Sequence, residues 1–232
     1  MTLDVVGLGA AVVMGALLLF LGGSYGPFML LLVLVFLVAS ALVTGMEKEH
    51  KERMKAYEKR RGWKNVLANG LVPLAIAAIV FADAHLRLGI PAAALVFAYA
   101  GSAAAITADK FSSEIGILDG RAIMLFTLRK IRAGISGGVS VLGTMAGALG
   151  TVIIGTAAGL YQWLVYGNSY TVAQASAIVL VVLASGMAGD FMDSFLGYFE
   201  EEGVGNKYTS NFAGAVVGGI VGFLLFLLLH RM

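Results

Sequence analysis

The sequence has few charged residues and no cysteine. Of its 232 residues, 13% are charged and 59% are hydrophobic. A soluble globular domain carries about a quarter charged residues, so most of this chain's surface must face something other than water. The absence of cysteine excludes disulfides, thiolate zinc sites and cysteine nucleophiles. Composition therefore predicts one membrane domain over residues 1–232.

Long apolar runs occupy most of the chain. About 20 apolar residues cross the hydrocarbon core as a helix, and a helix satisfies its own backbone hydrogen bonds, which lipid cannot do. Seven runs have this character: 4–22, 27–44, 65–83, 91–110, 138–165, 172–199 and 210–229. The sequence predicts an all-α, polytopic transmembrane bundle of about seven spans.

The basic residues predict how the bundle is oriented. Cytoplasmic loops of membrane proteins carry an excess of lysine and arginine, and the segment 45–64 is rich in both. If this segment is cytoplasmic, alternation of the spans places all but Arg87 and Arg231 of the 16 basic residues on the same side. We therefore predict a cytoplasmic N-terminus.

The segment 45–64 itself is predicted to be a basic helical extension of the second span. Glu47 and Lys51, and likewise Glu49 and Arg53, have the i,i+4 spacing of helical ion pairs. Two readings fit the pattern: a solvated helix, or a basic face that attracts anionic lipid headgroups or a nucleotide.

Under this topology, polar residues gather at the cytoplasmic ends of the spans. Carboxylates inside membrane helices are costly and mark functional sites. Asp190 and Asp193 share a helix face and would repel each other without a cation. Because only oxygen ligands are available, Mg²⁺ is the predicted ion. The alternative is that these carboxylates pair with lysine or arginine and tie helix ends together. None of the three histidines belongs to this group.

A glycine-rich segment, 134–140, precedes the fifth span. Gly137, Gly138 and Ser140 stand where free N–H groups of a helix start could cradle phosphate. The segment lacks the Walker A pattern, and its glycines could instead permit close helix contact. Later glycines with small-xxx-small spacing are predicted to pack helices together. These are Gly143, Gly147, Gly155, Gly159, Gly214, Gly218 and Gly222.

The sequence resembles the phytyl-phosphate kinase family over about residues 65–225. Five short sequence blocks occur in the same order and with the same spacing as in that family. They are Asn-Gly at 69–70, Ala-Asp-Lys-Phe-Ser-Ser-Glu-Ile-Gly at 108–116, Gly-Ile-Ser-Gly-Gly-Val-Ser-Val-Leu-Gly-Thr at 134–144, Asp-Ser-Phe-Leu-Gly at 193–197 and Asn-Phe at 211–212. Lys110 stands where the family commonly has threonine, and Asp190 adds a carboxylate. The resemblance implies a catalytic core in which a phosphoryl group passes from CTP, or another nucleotide, to a membrane-borne prenyl monophosphate.

The resemblance also implies roles for individual residues. Mg²⁺ would be held by Asp109, Glu114 and Asp193, with Asp190. Phosphate would be bound by Gly137, Gly138, Ser140 and Ser194, and charge would be neutralised by Lys110, Lys207 and the group Arg129, Lys130 and Arg132. Asn69 and Asn211 would position the ligand or the helix ends. The implied partners are a nucleotide, a prenyl phosphate lipid and the bilayer; a homodimer is left open, and nucleic acid is not predicted.

Some alternatives stay open at this level. Asp109 and Glu114 are five residues apart, about 140° around a regular helix. Either the helix ends near Lys110, or Glu114 serves another role. A membrane transporter, a CDP-alcohol phosphotransferase and a purely structural membrane protein are the competing functions.

Overall fold

The computed structural model describes residues 2–46, 52, 60–167 and 171–230. Within them the chain forms seven long helices. They are α1 (Val5–Gly22), α2 (Gly26–Gly45), α3 (Trp63–Leu86), α4 (Ala92–Gly116), α5 (Val141–Tyr166), α6 (Val172–Glu201) and α7 (Lys207–His230). The predicted all-α class is confirmed. Residues 47–51 and 53–59, with the predicted Glu47–Lys51 and Glu49–Arg53 pairs, lie outside the described residues.

Six stretches of the described chain are long and apolar enough to cross a membrane, close to the predicted seven. The first, Val5–Gly45, contains both α1 and α2, which only the three-residue turn Gly23–Tyr25 separates. A side chain at Gly26 would lie 2.5 Å from the Leu19 carbonyl oxygen. Residues seven apart in a straight helix are separated by about 10 Å, so the chain reverses at this turn.

Two small sheets lie outside the helices. In the first, β1 (Thr2–Leu3) pairs in parallel with β2 (Arg60–Arg61). In the second, β3 (Ala122–Met124) lies between β4 (Lys130–Ile131) and β5 (Gly138–Val139), and both pairings are antiparallel. These strands could not be predicted from the sequence, because pieces of two or three residues have no readable periodicity.

Two predicted span boundaries need correction. The predicted span 138–165 begins too early, since residues 138–139 form β5 and α5 begins at Val141. The Ser140 side chain accepts a hydrogen bond from the Gly143 N–H at 3.0 Å, so Ser140 is the N-cap of α5. The predicted span 91–110 is too short, because α4 continues through the polar residues to Gly116.

Helix α4 is the centre of the bundle and is buried along most of its length. Its small residues let neighbouring backbones approach closely. A side chain at Gly218 of α7 would lie 2.6 Å from the Gly101 carbonyl oxygen, and one at Gly147 of α5 would lie 3.4 Å from that of Ala108. Gly155 similarly faces the backbone of Val179 in α6. The predicted packing role of the spaced glycines is therefore confirmed at these contacts.

Hydrogen bonds between distant residues show which helix ends share one end of the bundle, here called the site end. They join α2 to α4, the segment before α5 to α6, and α7 to α3. The pairs are Thr44 with Glu114 (3.0 Å), Ser136 with Glu200 (2.8 Å) and Asn211 with Asn69 (3.2 Å). All the polar blocks of the sequence are brought together there.

Candidate functional site

A cavity of about 620 Å³ opens at the site end. Its wall comes from α3, α4, α5, α6, α7 and the connection between α4 and α5. Twelve of the fifteen residues predicted to have a role at the site line it: Asn69, Asp109, Lys110, Glu114, Gly137, Gly138, Ser140, Asp190, Asp193, Ser194, Lys207 and Asn211. Residues spread over more than 140 positions of the chain thus converge on one cavity.

Two of its carboxylates face each other from different helices. The Asp193 carboxyl of α6 lies within hydrogen-bond reach of the Asp109 carboxyl of α4, and Asp109 is buried. The charge of Lys207 also acts on Asp193. Two carboxylates this close favour a bound proton or cation between them.

Asp190 lies one helical turn before Asp193 and is 4% exposed. Its Oδ1 accepts a hydrogen bond from the Ser112 hydroxyl at 2.7 Å. A side chain at Gly147 would lie 3.0 Å from Asp190 Oδ2, so the glycine leaves room for this carboxylate. The Ser112 contact satisfies one oxygen of a carboxylate that would otherwise be costly to bury.

Glu114 is held on a different contact set. Its Oε1 accepts a hydrogen bond from Thr44 at 3.0 Å and forms an ion pair with Lys110. The alternative that the helix ends near Lys110 is wrong, because α4 is regular to Gly116. Glu114 therefore differs in role from Asp109, because it connects the end of α2 to the end of α4.

The four carboxylates predicted to hold a metal do not form one preformed site. Among the described residues, no group of three or more aspartates, glutamates or histidines is arranged to hold a metal ion. Asp109 and Asp193 form a pair, whereas Glu114 is turned to Lys110. A pair of carboxylates is still a donor set that suits Mg²⁺, which keeps several waters and takes further ligands from substrate phosphates.

The two asparagines connect α7 to α3 beside the aspartates. The Asn211 amide nitrogen donates to Asn69 Oδ1 at 3.2 Å. With the amide turned by 180°, its nitrogen would donate to Asp193 Oδ1 at 3.1 Å and to the Lys207 carbonyl oxygen at 2.8 Å. In that orientation Asn211 belongs to the same polar network as Asp193.

The glycine-rich segment packs against α6. Gly137 has a φ of +77°, and a side chain there would lie 2.7 Å from the Tyr198 backbone nitrogen. The Gly138 N–H donates to the Ile135 carbonyl oxygen at 3.2 Å. The Ser140 hydroxyl caps α5 and donates to the Gly116 carbonyl oxygen at 3.4 Å. These contacts support the close-contact alternative, while the segment still forms part of the cavity wall.

Ser112 and Glu200 have contacts at the site that the sequence analysis did not assign. Glu200 accepts hydrogen bonds from Ser136 and Ser210, and so connects the glycine-rich segment to α7. The sequence signal that could have indicated Glu200 is the acidic run 200–202 at the end of an apolar helix. Conversely, Arg129, Lys130 and Arg132 do not line the cavity, so their predicted role in neutralising phosphate is not supported.

Fold and site together define an integral membrane helical protein with a polar cavity at one end of its bundle. The chain belongs to the family described as integral membrane protein DUF92, which it matches over residues 1–220. It is 35% identical over 227 residues to an uncharacterized membrane protein of Methanocaldococcus jannaschii, covering 97% of this chain and 86% of that protein.

A plant relative is also similar. The chain is 30% identical over 194 residues to Protein PGR of Arabidopsis thaliana, which covers 76% of this chain. The aligned region spans 64% of the plant protein's length. No solved structure matches the chain.

Proposed function

We propose that the cavity is the active site of a membrane-embedded phosphotransferase. It moves the terminal phosphoryl group of a nucleoside triphosphate, CTP by family resemblance, to a prenyl monophosphate such as phytyl or geranylgeranyl phosphate. The product is the prenyl diphosphate. The observation that carries the proposal is the convergence of Asp109, Asp193 and Lys207 in one cavity at the end of a membrane bundle.

The size and lining of the cavity suit this ligand class. Ligand pockets range from about 300 to 1,000 Å³, and this one has about 620 Å³. It combines carboxylates, two lysines and several hydroxyl and amide groups. Phosphoryl transfer asks a protein mainly to position two phosphates and to neutralise their charge, and the aspartate pair and Lys207 would serve these purposes.

The reaction needs no general base. An oxygen of the acceptor monophosphate, already anionic, attacks the γ-phosphorus and forms the new P–O bond. The bond between that phosphorus and the β-phosphate oxygen breaks, and the nucleoside diphosphate leaves with the electron pair. The described residues that line the cavity include no histidine, and an acceptor with no proton to lose would not need one.

The aspartate pair fits the metal that such a nucleotide carries. Asp109 and Asp193 are oxygen donors from two helices, close enough to share one cation. Bound there, Mg²⁺ would neutralise charge on the nucleotide phosphates. Lys207, at the start of α7, would bind phosphate oxygens from the opposite side, and Asn211 would hold Asp193 in position.

The acceptor would reach the cavity from the bilayer. Its apolar tail would stay in lipid beside the helices while its phosphate enters the polar cavity at the membrane interface. The excess of lysine and arginine at this end of the bundle favours a cytoplasmic position, where nucleotides would be available. A homodimer is not required by this arrangement.

The test is a turnover assay on the purified protein in nanodiscs with Mg²⁺. CTP, ATP, GTP and UTP, each labelled at the γ-phosphate, are offered with phytyl and geranylgeranyl phosphate. We expect labelled prenyl diphosphate, with CTP the best donor, and about 10²–10³-fold less product from Asp193→Asn. Absence of product with every nucleotide and acceptor would overturn the proposal. Ion-driven solute uptake by proteoliposomes would favour the transporter instead.

A further inference from the structure

The connection between α4 and α5 carries four cations that do not line the cavity. We call residues 121–132 the interfacial hairpin; it contains β3 and β4. Its four cations are Arg121, Arg129, Lys130 and Arg132. All four are exposed, none lines the cavity, and none is ion-paired with a described residue. The cluster is therefore available to an anionic partner.

The same hairpin exposes large apolar side chains. Strand β3 buries Ala122 and Met124 and turns Ile123 outward, leaving it 46% exposed. Phe126 is 44% exposed and Leu128 is 76% exposed. Leu128 also has a φ of +56°, a conformation that glycine or asparagine adopts more easily. The turn thus presents a large apolar side chain at its tip.

Contacts with α6 show where the tip lies. The Phe126 ring stacks on Tyr198 at 4.5 Å between centroids and packs edge-on against Phe195 at 5.2 Å. Phe195 is six residues before Glu201, the last residue of α6, and therefore about 9 Å below the helix end. Phe195 is also 39% exposed. Through Phe126, the hairpin consequently packs against the last two turns of α6.

We propose that the interfacial hairpin binds the anionic headgroup layer of the surrounding bilayer. Leu128 and Phe126 enter the interface, and the four cations bind lipid phosphates beside them. Interfacial elements combine apolar burial with attraction to anionic lipid in this way, and each lysine or arginine near an anionic surface strengthens that attraction. This inference does not rest on the proposed enzymatic function.

Such binding would have a consequence for the cavity. The chain passes from the hairpin directly into the glycine-rich segment, and β3 pairs with β5 within that segment. Lipid bound at the hairpin would therefore hold one wall of the cavity against α6.

The depth of the tip can be measured by fluorescence quenching. Trp63 and Trp163, the two native tryptophans, are replaced by phenylalanine, and Leu128→Trp is added as a single reporter in nanodiscs. We expect quenching by lipids brominated near the headgroup end of the acyl chain. The control is Val204→Trp in the α6–α7 connection, also exposed, which aqueous iodide should quench instead. Iodide quenching of both reporters to the same extent would overturn the proposal.

The choice of an anionic partner is tested with the same reporter. A brominated anionic lipid and a brominated zwitterionic lipid are compared as minor components. We expect the anionic lipid to quench at a mole fraction about fivefold lower than the zwitterionic lipid does. This difference corresponds to the contribution of one lysine or arginine at an anionic surface. Salt at about 1 M, where the screening length is about 3 Å, should abolish the preference.

A variant and its matched control complete the test. Arg129→Gln, Lys130→Gln and Arg132→Gln together should remove the preference, whereas Arg87→Gln, at the other end of the bundle, should leave it intact. Equal quenching by both lipids in the unsubstituted hairpin, or a preference that survives the triple substitution, would contradict the assignment. The reporter does not depend on catalysis, so it can fail while the turnover assay succeeds, and the reverse.

Discussion

The two ends of the bundle are built from the same helices but filled differently. Away from the site, Tyr99 of α4 is fully buried and its hydroxyl donates to the Met29 carbonyl oxygen at 2.8 Å. Phe28 packs against Tyr99 and Tyr161 there. Ten residues further along α4, Asp109 faces a cavity instead. Buried apolar and aromatic side chains therefore surround Tyr99, whereas polar groups line the cavity beside Asp109.

A second contrast lies within the site end itself. Lys110 and Glu114 neutralise each other and connect two helices, whereas Asp109 and Asp193 bring two negative groups together. The first pair is a structural contact; the second is an arrangement that a metal–nucleotide complex would complete. Substitutions in the two pairs, and in the region around Tyr99, should therefore affect turnover and stability differently.

Asp193→Asn should reduce turnover by about 10²–10³-fold, the usual cost of losing a preorganised electrostatic contact. Thermal stability should stay the same or rise, since one of two adjacent carboxylates loses its charge. The measurements are kcat and the melting temperature in detergent. Asp83→Asn, at the far end of α3, is the matched control and should remain active. Normal turnover in Asp193→Asn would remove the basis for the metal site.

Glu114→Gln should lower the free energy of unfolding and leave the Mg²⁺ dependence of turnover unchanged. Removing one partner of a buried ion pair costs about 3–5 kcal/mol, and the Lys110 and Glu114 side chains are 4% and 12% exposed. Lys110→Met combined with Glu114→Gln should recover part of the lost stability in a denaturant titration. The Mg²⁺ concentration for half-maximal activity should not change in Glu114→Gln. A shift of that concentration comparable to the one in Asp109→Asn would place Glu114 among the metal ligands.

Gly189→Ala tests the close packing of α6 against α7 next to the cavity. A side chain at this position of α6 would lie 2.5 Å from the Gly214 carbonyl oxygen of α7. Overpacking of this kind costs about 1–3 kcal/mol, measured as the free energy of unfolding. Gly9→Ala, which meets nothing within 4 Å, is the control and should be neutral or slightly stabilising. Equal effects at the two positions would contradict the packing described for α6 and α7.

Tyr99→Phe tests the buried region around Tyr99, away from the site end, and should change stability least. It removes one buried hydrogen bond to Met29, worth about 1 kcal/mol. The free energy of unfolding should fall by that amount while kcat and the affinity for nucleotide stay unchanged. A loss of turnover without a loss of stability would show that the two ends are coupled.

The sequence predicted the fold well because hydropathy and basic-residue bias are strong signals over 20-residue windows. It also predicted which polar blocks meet, since helix ends that alternate across a membrane must return to the same side. The role of Glu114 could not be predicted. That role depends on the partner at Thr44, 70 positions away, and on α4 staying helical beyond Lys110.

The glycine-rich segment shows a second limit. Its composition fits both a phosphate cradle and a packing contact, and only the position of Tyr198 opposite Gly137 shows the contact. The hairpin was missed for another reason. Its strands are two or three residues long, and the contact between Phe126 and Tyr198 joins residues that no local pattern relates.

The central claim is that Asp109 and Asp193 bind a metal–nucleotide complex. Electron paramagnetic resonance of Mn²⁺, used in place of Mg²⁺ with a non-hydrolysable CTP analogue, measures this binding without turnover. We predict that Mn²⁺ binding requires the nucleotide and disappears in Asp109→Asn and Asp193→Asn. It should persist in Glu114→Gln when the same amount of folded protein is compared. Mn²⁺ binding of equal strength in Asp193→Asn and in the unsubstituted protein would contradict the account.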